Sequence, residues 1–424
     1  MTAHVAVIGT GYVGLTTGAY LAHLGHHVVC ADVIEEKVAL LNDGEVPFFE
    51  AGLHEMVHEG IAGGRLRFVL GAATAVPGAE FVFLCLPTPQ SEDGSADLSY
   101  IEGVAAEIGP HLEAEAVVIT KSTVPVGTTT KVARLLARDD VFVVANPEFL
   151  REGSALHDCL HPDRIVIGSD DQEAAMRVAS LFEHLEAPLI VTNPASAEAI
   201  KYSSNAFLAT KVSFINAIAH LCELFGADVR DVALGMGYDK RIGFEFLRPG
   251  PGFGGSCFPK DSRALIRMAD DVGYDFEVLR GVVDMNERQF AWIADKIAAA
   301  LRGPLDGKTI AVWGLTFKAR TDDLRESPAL HVIDHLLERG ATIRAFDPMV
   351  KHEIDGITVC GDAYAACDGA DALAVLTEWD DFRWLDFDKV AEAMATRIVV
   401  DARNLLDPTA LRRRGFSYDG IGRV

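Results

Sequence analysis

The N-terminal segment alternates between two apolar strands, with a glycine turn and a helix between them. The apolar, β-branched residues of His4–Ile8 predict a strand that runs into Gly9-Thr10-Gly11-Tyr12-Val13-Gly14. A helical pattern follows over residues 15–24, Gly25 closes it, and a second strand over residues 27–31 ends in Asp32. This order of strand, G-x-G-x-x-G turn, helix, strand and acid is far more specific than the glycine motif alone. It predicts the βαβ unit that opens a doubly wound, Rossmann-like α/β domain.

The same unit predicts a dinucleotide site. Its glycines let the backbone and the helix N-terminus approach a pyrophosphate closely. Asp32 would accept hydrogen bonds from the adenosine ribose and repel a 2′-phosphate, which favours NAD over NADP. Lys37 is either a second ribose contact or a solvated helix residue. The cofactor turn is assigned to Gly9, Gly11, Tyr12, Val13 and Gly14.

Polar segments follow three more predicted strands in the first third of the chain. The strands over residues 81–86, 116–121 and 141–144 lead into Pro87-Thr88-Pro89-Gln90, residues 122–127 and Asn146-Pro147-Glu148. Because the carboxyl ends of parallel strands border the ligand crevice, we expect these segments beside the cofactor. Two further predicted strands, over residues 164–168 and 189–192, complete a first domain at residues 1–194.

Residues 195–302 form a predicted helical domain. Residues 195–225 contain no proline and no glycine, and they place Lys201 and Asn205 one turn apart on one helix face. A helix of this length is a common scaffold between two domains or two subunits. Arg241, in a loop further on, is either an anion ligand or an ordinary loop cation.

A glycine-rich loop with one cysteine lies in the same domain. It runs Gly250-Pro251-Gly252-Phe253-Gly254-Gly255-Ser256-Cys257-Phe258-Pro259-Lys260-Asp261. Its glycines predict a flexible backbone that can approach a ligand closely, and Pro259 suits the first turn of a following helix. Cys257 would then lie near that helix N-terminus, where the helix dipole favours a thiolate. We favour a site of covalent chemistry; the alternative is a buried, inert cysteine behind a flexible linker.

The last third repeats the α/β pattern of the first. After a turn over residues 303–307, strands are predicted over residues 308–313, 342–346, 372–376 and 397–400, in a second α/β domain at residues 303–424. This domain lacks a G-x-G-x-x-G, so a second dinucleotide is not expected. Lys318 and Arg403 follow strand ends and would supply positive charge to an anionic ligand.

The composition limits the partners and the compartment. The 424 residues are 49% hydrophobic and 24% charged, as in a globular protein with more than one core. The formal charge of −24 argues against nucleic acid and acidic membranes as partners. We expect neither a signal peptide nor an apolar run that spans a membrane. Seven cysteines without paired spacing indicate a reducing compartment, by default the cytoplasm, and no metal site.

Together these motifs resemble the UDP-glucose 6-dehydrogenase family of nucleotide-sugar dehydrogenases over nearly the whole chain. The resemblance rests on GTGYVG (9–14), STVPVGT (122–128), NPEFLREGSA (146–155), the Lys201/Asn205 helix, FLRPGPGFGGSCFPKD (246–261), GLTFK (314–318), RESP (325–328), DARNLLDP (401–408) and GIGR (420–423). It implies two Rossmann-like domains joined by a central helical dimerisation domain. The N-terminal domain would bind NAD, the central helix would form a homodimer, and the C-terminal domain would bind the nucleotide sugar.

The resemblance also implies a reaction. These enzymes oxidise a primary alcohol to a carboxylate with two NAD⁺, through a cysteine-bound thiohemiacetal and thioester. Cys257 would be the nucleophile, and Lys201 and Asn205 would stabilise the oxyanion. Either Lys201 or a water held by an aspartate would take the first proton. The groups that would orient or activate water are Asp261, Thr123 and Glu152.

Further binding residues follow from the same resemblance. The cofactor site would also include Asp32, Lys37, Pro87, Thr88, Pro89, Ser122, Thr123, Glu152, Lys260 and Arg325. The sugar nucleotide would contact Glu148, Phe149, Leu150, Arg151, Glu152, Lys201, Asn205, Arg248, Gly250, Gly252, Phe253, Gly254, Cys257, Phe317, Lys318 and Arg403, with Arg241 reaching a neighbouring subunit's sugar.

UDP-glucose is the favoured substrate, because residues 148–153 and 251–253 resemble the glucose enzymes most. GDP-mannose and UDP-N-acetylhexosamine 6-dehydrogenases share the catalytic core and are the alternatives. An inactive NAD-binding sensor is a more distant alternative. It would give no reason for Lys201, Asn205, Cys257 and Asp261 all to be present.

Overall fold

The computed structural model describes residues 2–423, and the chain divides into two compact units, residues 1–204 and 205–424. The strands of the first unit are β1 His4–Ile8, β2 His27–Asp32, β3 Leu66–Leu70, β4 Phe81–Leu84, β5 Val117–Thr120, β6 Phe142–Ala145, β7 Ile165–Gly168 and β8 Leu189–Thr192. Its helices are α1 Tyr12–His23, α2 Glu35–Asn42, α3 Leu53–Ala62, α4 Ala72–Ala75, α5 Ser99–Ile108, α6 Thr128–Leu136, α7 Ala155–Leu160 and α8 Gln172–Ser180, with a 3₁₀ turn at Gly109–His111. The unit boundary falls inside α9, Pro194–Phe225.

The first unit is built on an eight-stranded sheet in the order β3-β2-β1-β4-β5-β6-β7-β8. Neighbouring strands are parallel except β6 and β7, which pair in antiparallel fashion at Ala145 and Gly168. The residues of β4 and β5 are buried throughout, as expected for central parallel strands of successive apolar residues. Chain order reverses at β1, so the carboxyl ends of β1 and β4 border the expected ligand crevice.

The second unit contains a six-stranded, wholly parallel sheet in the order β11-β10-β9-β12-β13-β14. Its strands are β9 Thr309–Trp313, β10 Thr342–Phe346, β11 Ile357–Val359, β12 Ala372–Val375, β13 Ile398–Asp401 and β14 Ser417–Gly420. Its helices are α10 Val229–Gly237, α11 Phe258–Asp271, α12 Glu277–Leu301, α13 Pro328–Leu337, α14 Ala363–Cys367, α15 Phe387–Ala393 and α16 Pro408–Arg413, with a 3₁₀ turn at Asp380–Trp384.

The second sheet has the strand order of the first six strands of the first sheet. β1 and β9 hold equivalent places, and each is followed by a glycine, Gly9 and Gly314, with φ of +94° and +92°. The Gly9 amide donates to the Ala31 carbonyl oxygen and the Gly314 amide to the Phe346 carbonyl oxygen, both at 2.8 Å. The chain therefore makes the same kind of turn after β1 and after β9, at the carboxyl edge of the sheet, where folds of this class bind ligands.

α9 is long and largely apolar. By length and composition alone it is the one helix of residues 2–423 that could cross a membrane. The sequence prediction contained no such candidate. A single helix of this kind is weak evidence of a membrane span, because the core helix of a globular protein meets the same criterion. α9 also carries the buried polar residues Glu198, Lys201 and Asn205.

The predicted fold class is confirmed, with two Rossmann-like parallel sheets and a central helical region. Three short strands, β3, β11 and β14, were not predicted. β3 is interrupted at its second residue by exposed Arg67, β11 has three residues, and β14 reads Ser-Tyr-Asp-Gly, so none presents an apolar run of more than three residues. The domain bounds at residues 194 and 302 stay predictions.

Candidate active site

The glycine turn after β1 leaves open space at the N-terminus of α1. A Cβ on Gly9 would lie 2.4 Å from the Cys85 carbonyl oxygen, and one on Gly14 would lie 1.9 Å from the Gly9 carbonyl oxygen. Both positions therefore require glycine. A Cβ on Gly11 would meet no protein atom within 4 Å, so the space beside it is open to a pyrophosphate.

Asp32, at the end of β2, borders this turn as an ionised acid. Its Oδ2 accepts hydrogen bonds from the Thr10 amide at 3.1 Å and from the Lys37 amine at 2.9 Å. Burial raises the pKa of Asp32, but the hydrogen bonds from Thr10 and Lys37 outweigh burial and lower it to about 2. A carboxylate charged at neutral pH suits a ribose and repels a 2′-phosphate. The structure thus places Lys37 directly against Asp32.

Hydrogen bonds join the segments that follow β4 and β5. The Thr88 hydroxyl donates to the Thr123 carbonyl oxygen at 3.0 Å, and the Ser122 hydroxyl donates to the Leu86 carbonyl oxygen at 2.7 Å. Pro87 is exposed next to them. Four residues predicted for the cofactor site therefore lie together at one edge of the first sheet.

A buried glutamate that the sequence analysis missed, Glu50, ties the glycine turn to the segment after β6. The Tyr12 hydroxyl donates to Glu50. The amides of Gly153 and Ala155 donate to the two Glu50 carboxylate oxygens at 2.7 and 2.8 Å. Burial and the neighbouring carboxylate raise the pKa of Tyr12, so its hydroxyl remains a donor. These bonds also fix the turn that carries Glu152.

Glu148 and Lys201 form a buried ion pair. Lys201 Nζ lies 2.8 Å from Glu148 Oε1, and the two side chains are 4% and 6% exposed, Lys201 first. The other Glu148 oxygen accepts from the Leu150 amide at 2.6 Å. Burial raises the pKa of Glu148, but the charge and hydrogen bond of Lys201 outweigh it, and the net shift is downward. The pair favours the charged form of both groups.

A cavity of about 150 Å³ adjoins this ion pair within the first unit. The Lys121 amine, in its lining, donates to the Asn146 side chain at 2.9 Å, and burial lowers the pKa of Lys121. The Arg164 guanidinium lies 3.6 Å from the centroid of the Phe149 ring. Neither Lys121 nor Arg164 was among the predicted site residues, although Lys121 immediately precedes one of the predicted motifs. The predicted substrate residues in the lining are Glu148, Phe149, Leu150 and Arg151.

Cys257 is the N-cap residue of α11, with Pro259 in the first helical turn, as the sequence predicted. Its side chain is partly buried, and its sulfur lies 3.5 Å from the Ser256 hydroxyl oxygen. The amide of Asp261, one turn later, donates to the Cys257 carbonyl oxygen at 2.8 Å. The thiol therefore stands at a helix N-terminus.

Asp261 is 1% exposed and is held at both carboxylate oxygens. The Asn205 side-chain amide donates to Oδ2 at 2.7 Å, and the Lys260 amine donates to Oδ1 at 2.7 Å. Asn205 thus reaches from α9 to the first turn of α11. The second unit brings four predicted site residues, Asn205, Cys257, Lys260 and Asp261, to one helix end.

Buried side chains bind the glycine-rich loop at Gly250 and Phe253, and its flexibility stays a prediction. Asn216 accepts from the Gly250 amide at 2.8 Å, and Gln289 donates to the Gly250 carbonyl oxygen at 2.9 Å. Asn286 accepts from the Phe253 amide at 2.8 Å and donates to its carbonyl oxygen at 3.0 Å. Three buried amide side chains thus satisfy backbone groups that a loop would otherwise leave to water.

Arg403 packs against this loop inside the second unit. A Cβ on Gly250 would lie 3.0 Å from Arg403 Nη1, and Arg403 Nη2 donates to the Phe317 carbonyl oxygen at 3.3 Å. A Cβ on Gly255 would lie 2.7 Å from the Phe317 ring. The Lys318 amine lies 5.4 Å from the centroid of that ring. The predicted substrate residues Gly250, Phe317, Lys318 and Arg403 therefore form one cluster.

Three predicted cations lie at the surface. The Arg241 side chain is 88% exposed and pairs with Asp239 of the same turn. Arg325 pairs with Asp323 at 2.8 Å, and Arg248 is exposed. Their roles, toward a neighbouring subunit's sugar for Arg241, the cofactor for Arg325 and the substrate for Arg248, stay predictions.

Three parts of the chain match three models of one protein family. Residues 3–186 match the NAD binding domain of the UDP-glucose/GDP-mannose dehydrogenase family. Residues 195–288 match the central domain and residues 311–408 the UDP binding domain of the same family.

Similar proteins match over their whole length. A UDP-glucose 6-dehydrogenase of Rhizobium meliloti (strain 1021) is 45% identical over 433 residues, covering 99% of this chain and 99% of the relative. A solved UDP-glucose dehydrogenase from the hyperthermophilic archaeon Pyrobaculum islandicum is 38% identical with a TM-score of 0.92, over 100% of this chain and 98% of that one. A UDP-D-ManNAc dehydrogenase from Pyrococcus horikoshii is 29% identical with a TM-score of 0.88, over 99% of each chain. The chain belongs to the UDP-glucose/GDP-mannose dehydrogenase family of NAD-dependent oxidoreductases.

Proposed function

We propose that this protein oxidises UDP-glucose to UDP-glucuronate, a four-electron oxidation at carbon 6 that consumes two NAD⁺. The observation that carries the proposal is Cys257 at the N-terminus of α11, with Asp261 one turn later bound to Asn205. An enzyme that stopped at the aldehyde would need no nucleophile there, whereas a two-step oxidation needs a group that retains the aldehyde. The relative that bears this name at 45% identity supports UDP-glucose as the substrate.

Cys257 keeps the substrate bound between the two oxidations. NAD⁺, when bound at the glycine turn, supplies the hydride acceptor. After the first oxidation, the Cys257 sulfur adds to the aldehyde carbon and the thiol proton ends on the aldehyde oxygen, which gives a thiohemiacetal. Loss of a hydride from that carbon and of the hydroxyl proton gives a thioester. Water then cleaves the thioester to the carboxylate and releases the thiol.

Fixed donors stabilise the oxygen that becomes negative in these steps. The ion pair with Glu148 keeps Lys201 charged, and the hydrogen bond to Asp261 fixes the Asn205 amide. Donors held in place stabilise an oxyanion well, because they need no reorganisation during the reaction. A charged Lys201 is a poor base, so we assign the first proton to a water held by Asp261, and we assign assistance in water activation to Thr123 and Glu152.

Product stoichiometry tests this function. Purified protein with NAD⁺ and UDP-glucose should form two NADH for each UDP-glucose consumed, with UDP-glucuronate as the product. A ratio of one would contradict the two-step route. Turnover of GDP-mannose or a UDP-N-acetylhexosamine alone would assign the chain to an alternative substrate. NAD⁺ binding without NADH formation from any nucleotide sugar would indicate an inactive sensor.

We also propose a homodimer formed through α9. Phe207, Phe214 and Leu221 are 65%, 48% and 41% exposed and lie seven residues apart, so they form one stripe along the helix. Leu224 and Phe225 extend this exposed apolar surface at 69% and 76% exposure. Contiguous exposed apolar surface of this kind marks protein–protein interfaces.

Phe214→Glu is therefore expected to convert the dimer into a monomer, since it places a charge in the middle of the stripe. Sedimentation equilibrium would measure the mass of each species. Met176→Glu is the matched control, because Met176 is 55% exposed on α8 of the first unit, away from α9 in sequence. A monomeric wild-type protein, or a Phe214→Glu variant that remains a dimer, would contradict the interface.

The cytoplasm is the compartment that we propose. No disulfide joins the seven cysteines, all of which lie within residues 2–423; four are buried and three partly buried, as expected under reducing conditions. Fractionation of the producing cells should recover the protein with cytosolic markers; recovery with membranes would contradict this placement.

A further inference from the structure

We propose that Asp347 is a positioning residue for the UDP-sugar site, because it fixes the turn after β9 that leads into Phe317 and Lys318. The inference rests on the proposed function, in which those two residues contact the substrate. Asp347 directly follows β10 and is 1% exposed.

The second sheet repeats the first at this point. In the first unit, Asp32 at the end of β2 holds the turn after β1 by accepting from the Thr10 amide. In the second unit, Asp347 holds the turn after β9 by accepting from the Leu315 and Thr316 amides at 2.8 and 3.1 Å. Asp347 therefore occupies the place in the second fold that Asp32 occupies in the first.

Both acids accept several hydrogen bonds from the protein, and in Asp32 both carboxylate oxygens are used as well. Oδ2 of Asp347 also accepts from the Thr316 hydroxyl at 3.1 Å and from the Trp379 indole N–H at 3.0 Å. Its Oδ1 accepts from the Met349 amide at 2.9 Å. Five protein donors thus bind Asp347, four at Oδ2 and one at Oδ1. Asp347 is buried, whereas Asp32 is only partly buried, so Asp347 serves the protein's own turn.

The turn held by Asp347 continues into the predicted substrate cluster. The Thr316 carbonyl oxygen accepts from the Thr377 hydroxyl at 2.6 Å, which fixes the next peptide unit as well. The following carbonyl oxygen, of Phe317, accepts from Arg403. Asp347 therefore sets the direction of the backbone at Thr316, and with it the placement of Phe317 and Lys318.

Asp347→Asn tests this role with an isosteric change. Whichever way the new amide is turned, its NH₂ group faces at least one N–H donor, so the turn loses hydrogen bonds and loosens. We expect the KM for UDP-glucose to rise about tenfold while kcat and the KM for NAD⁺ change by less than about twofold. Trp379→Phe removes one donor and keeps an aromatic ring, and should raise the KM for UDP-glucose about threefold.

Asp362→Asn is the matched control. Asp362 is the exposed N-cap of α14, and its side chain accepts from the Ala365 amide at 2.8 Å. The same chemical change there should leave all three constants at their wild-type values. Thermal unfolding of each variant identifies any that has lost its general structure.

Direct binding of UDP, measured by titration calorimetry without NAD⁺, separates this inference from the proposed function. The Kd for UDP should rise in Asp347→Asn by the same factor as the KM. Unchanged UDP affinity in both folded variants, or a parallel rise in the KM for NAD⁺, would overturn the role of Asp347. If the wild type binds UDP but does not oxidise UDP-glucose, the proposed function is wrong, and the ratio of UDP affinities still decides the role of Asp347.

Discussion

Replacing Cys257 with serine is expected to lower the rate of UDP-glucuronate formation at least ~10³-fold while NAD⁺ binding stays unchanged. Serine is a good N-cap residue, so α11 should begin at the same place. A hydroxyl without an adjacent strong base is a much weaker nucleophile than a thiolate at neutral pH. The variant should therefore fail to capture the aldehyde and should form no thioester.

Product analysis and NADH absorbance would measure this loss. The NADH yield should fall from two per sugar nucleotide toward one or zero, according to whether the first oxidation still proceeds. Cys360→Ser is the matched control, because Cys360 is partly buried just after β11 with its sulfur 3.5 Å from the Thr358 carbonyl oxygen. If Cys257→Ser forms uronate at the wild-type rate, the thioester route is wrong.

Sequence predicted the elements that are set by near neighbours along the chain. β1, the glycine turn and β2 were located almost to the residue, because apolar periodicity and glycine geometry act within a few positions. α1 begins at Tyr12, inside the glycine motif, and not at Leu15 as predicted. β14 was not predicted, because its residues Ser417–Gly420 show no apolar pattern. It joins the sheet through backbone pairing with β13.

The same distinction between local sequence and tertiary contacts applies to the candidate site. Asp32, Lys201, Cys257 and Asp261 lie in recognisable local motifs, and each is found with partners that suit its expected chemistry. The buried groups that fix the backbone around the site were not predictable. Glu50 binds amides 103 and 105 residues away, and its neighbours in the chain give no sign of that contact.

Buried polar side chains bind the glycine-rich loop at places that its own sequence does not indicate. Glycine content describes the conformations open to an isolated segment. Asn216 and Asn286 bind this loop from helices 34 and 33 residues away in the chain, and they determine which conformation is kept. Because a buried polar group finds its partner through tertiary packing, local sequence cannot identify the pair.

Replacing Lys201 with methionine is expected to lower kcat about 10²- to 10³-fold and to destabilise the folded protein as well. Methionine retains much of the length of lysine but removes the charged donor that we assign to the oxyanion. It also leaves Glu148 buried without the ammonium 2.8 Å away, and breaking a buried pair in this way costs about 3–5 kcal/mol. Lys211→Met is the control, since Lys211 lies on the same helix and its amine donates to the Ile242 carbonyl oxygen at 3.0 Å.

The double variant Lys201→Met/Glu148→Gln separates the loss of activity from the loss of stability, because it removes the unpaired buried charge. Thermal stability should largely return while activity stays low.

The pH dependence of unfolding gives a second measurement. In the wild type, Lys201 outweighs burial and holds the pKa of Glu148 below its ordinary value, so the stability this pair contributes is present at neutral pH and is lost as the pH falls through that lowered pKa. Without Lys201, burial raises the pKa of Glu148, and the single variant loses stability as the pH rises through the raised value. The difference in melting temperature between wild type and Lys201→Met should therefore widen from about pH 5 to about pH 7. A difference that is independent of pH would show that the Glu148–Lys201 ion pair is not the source of the lost stability.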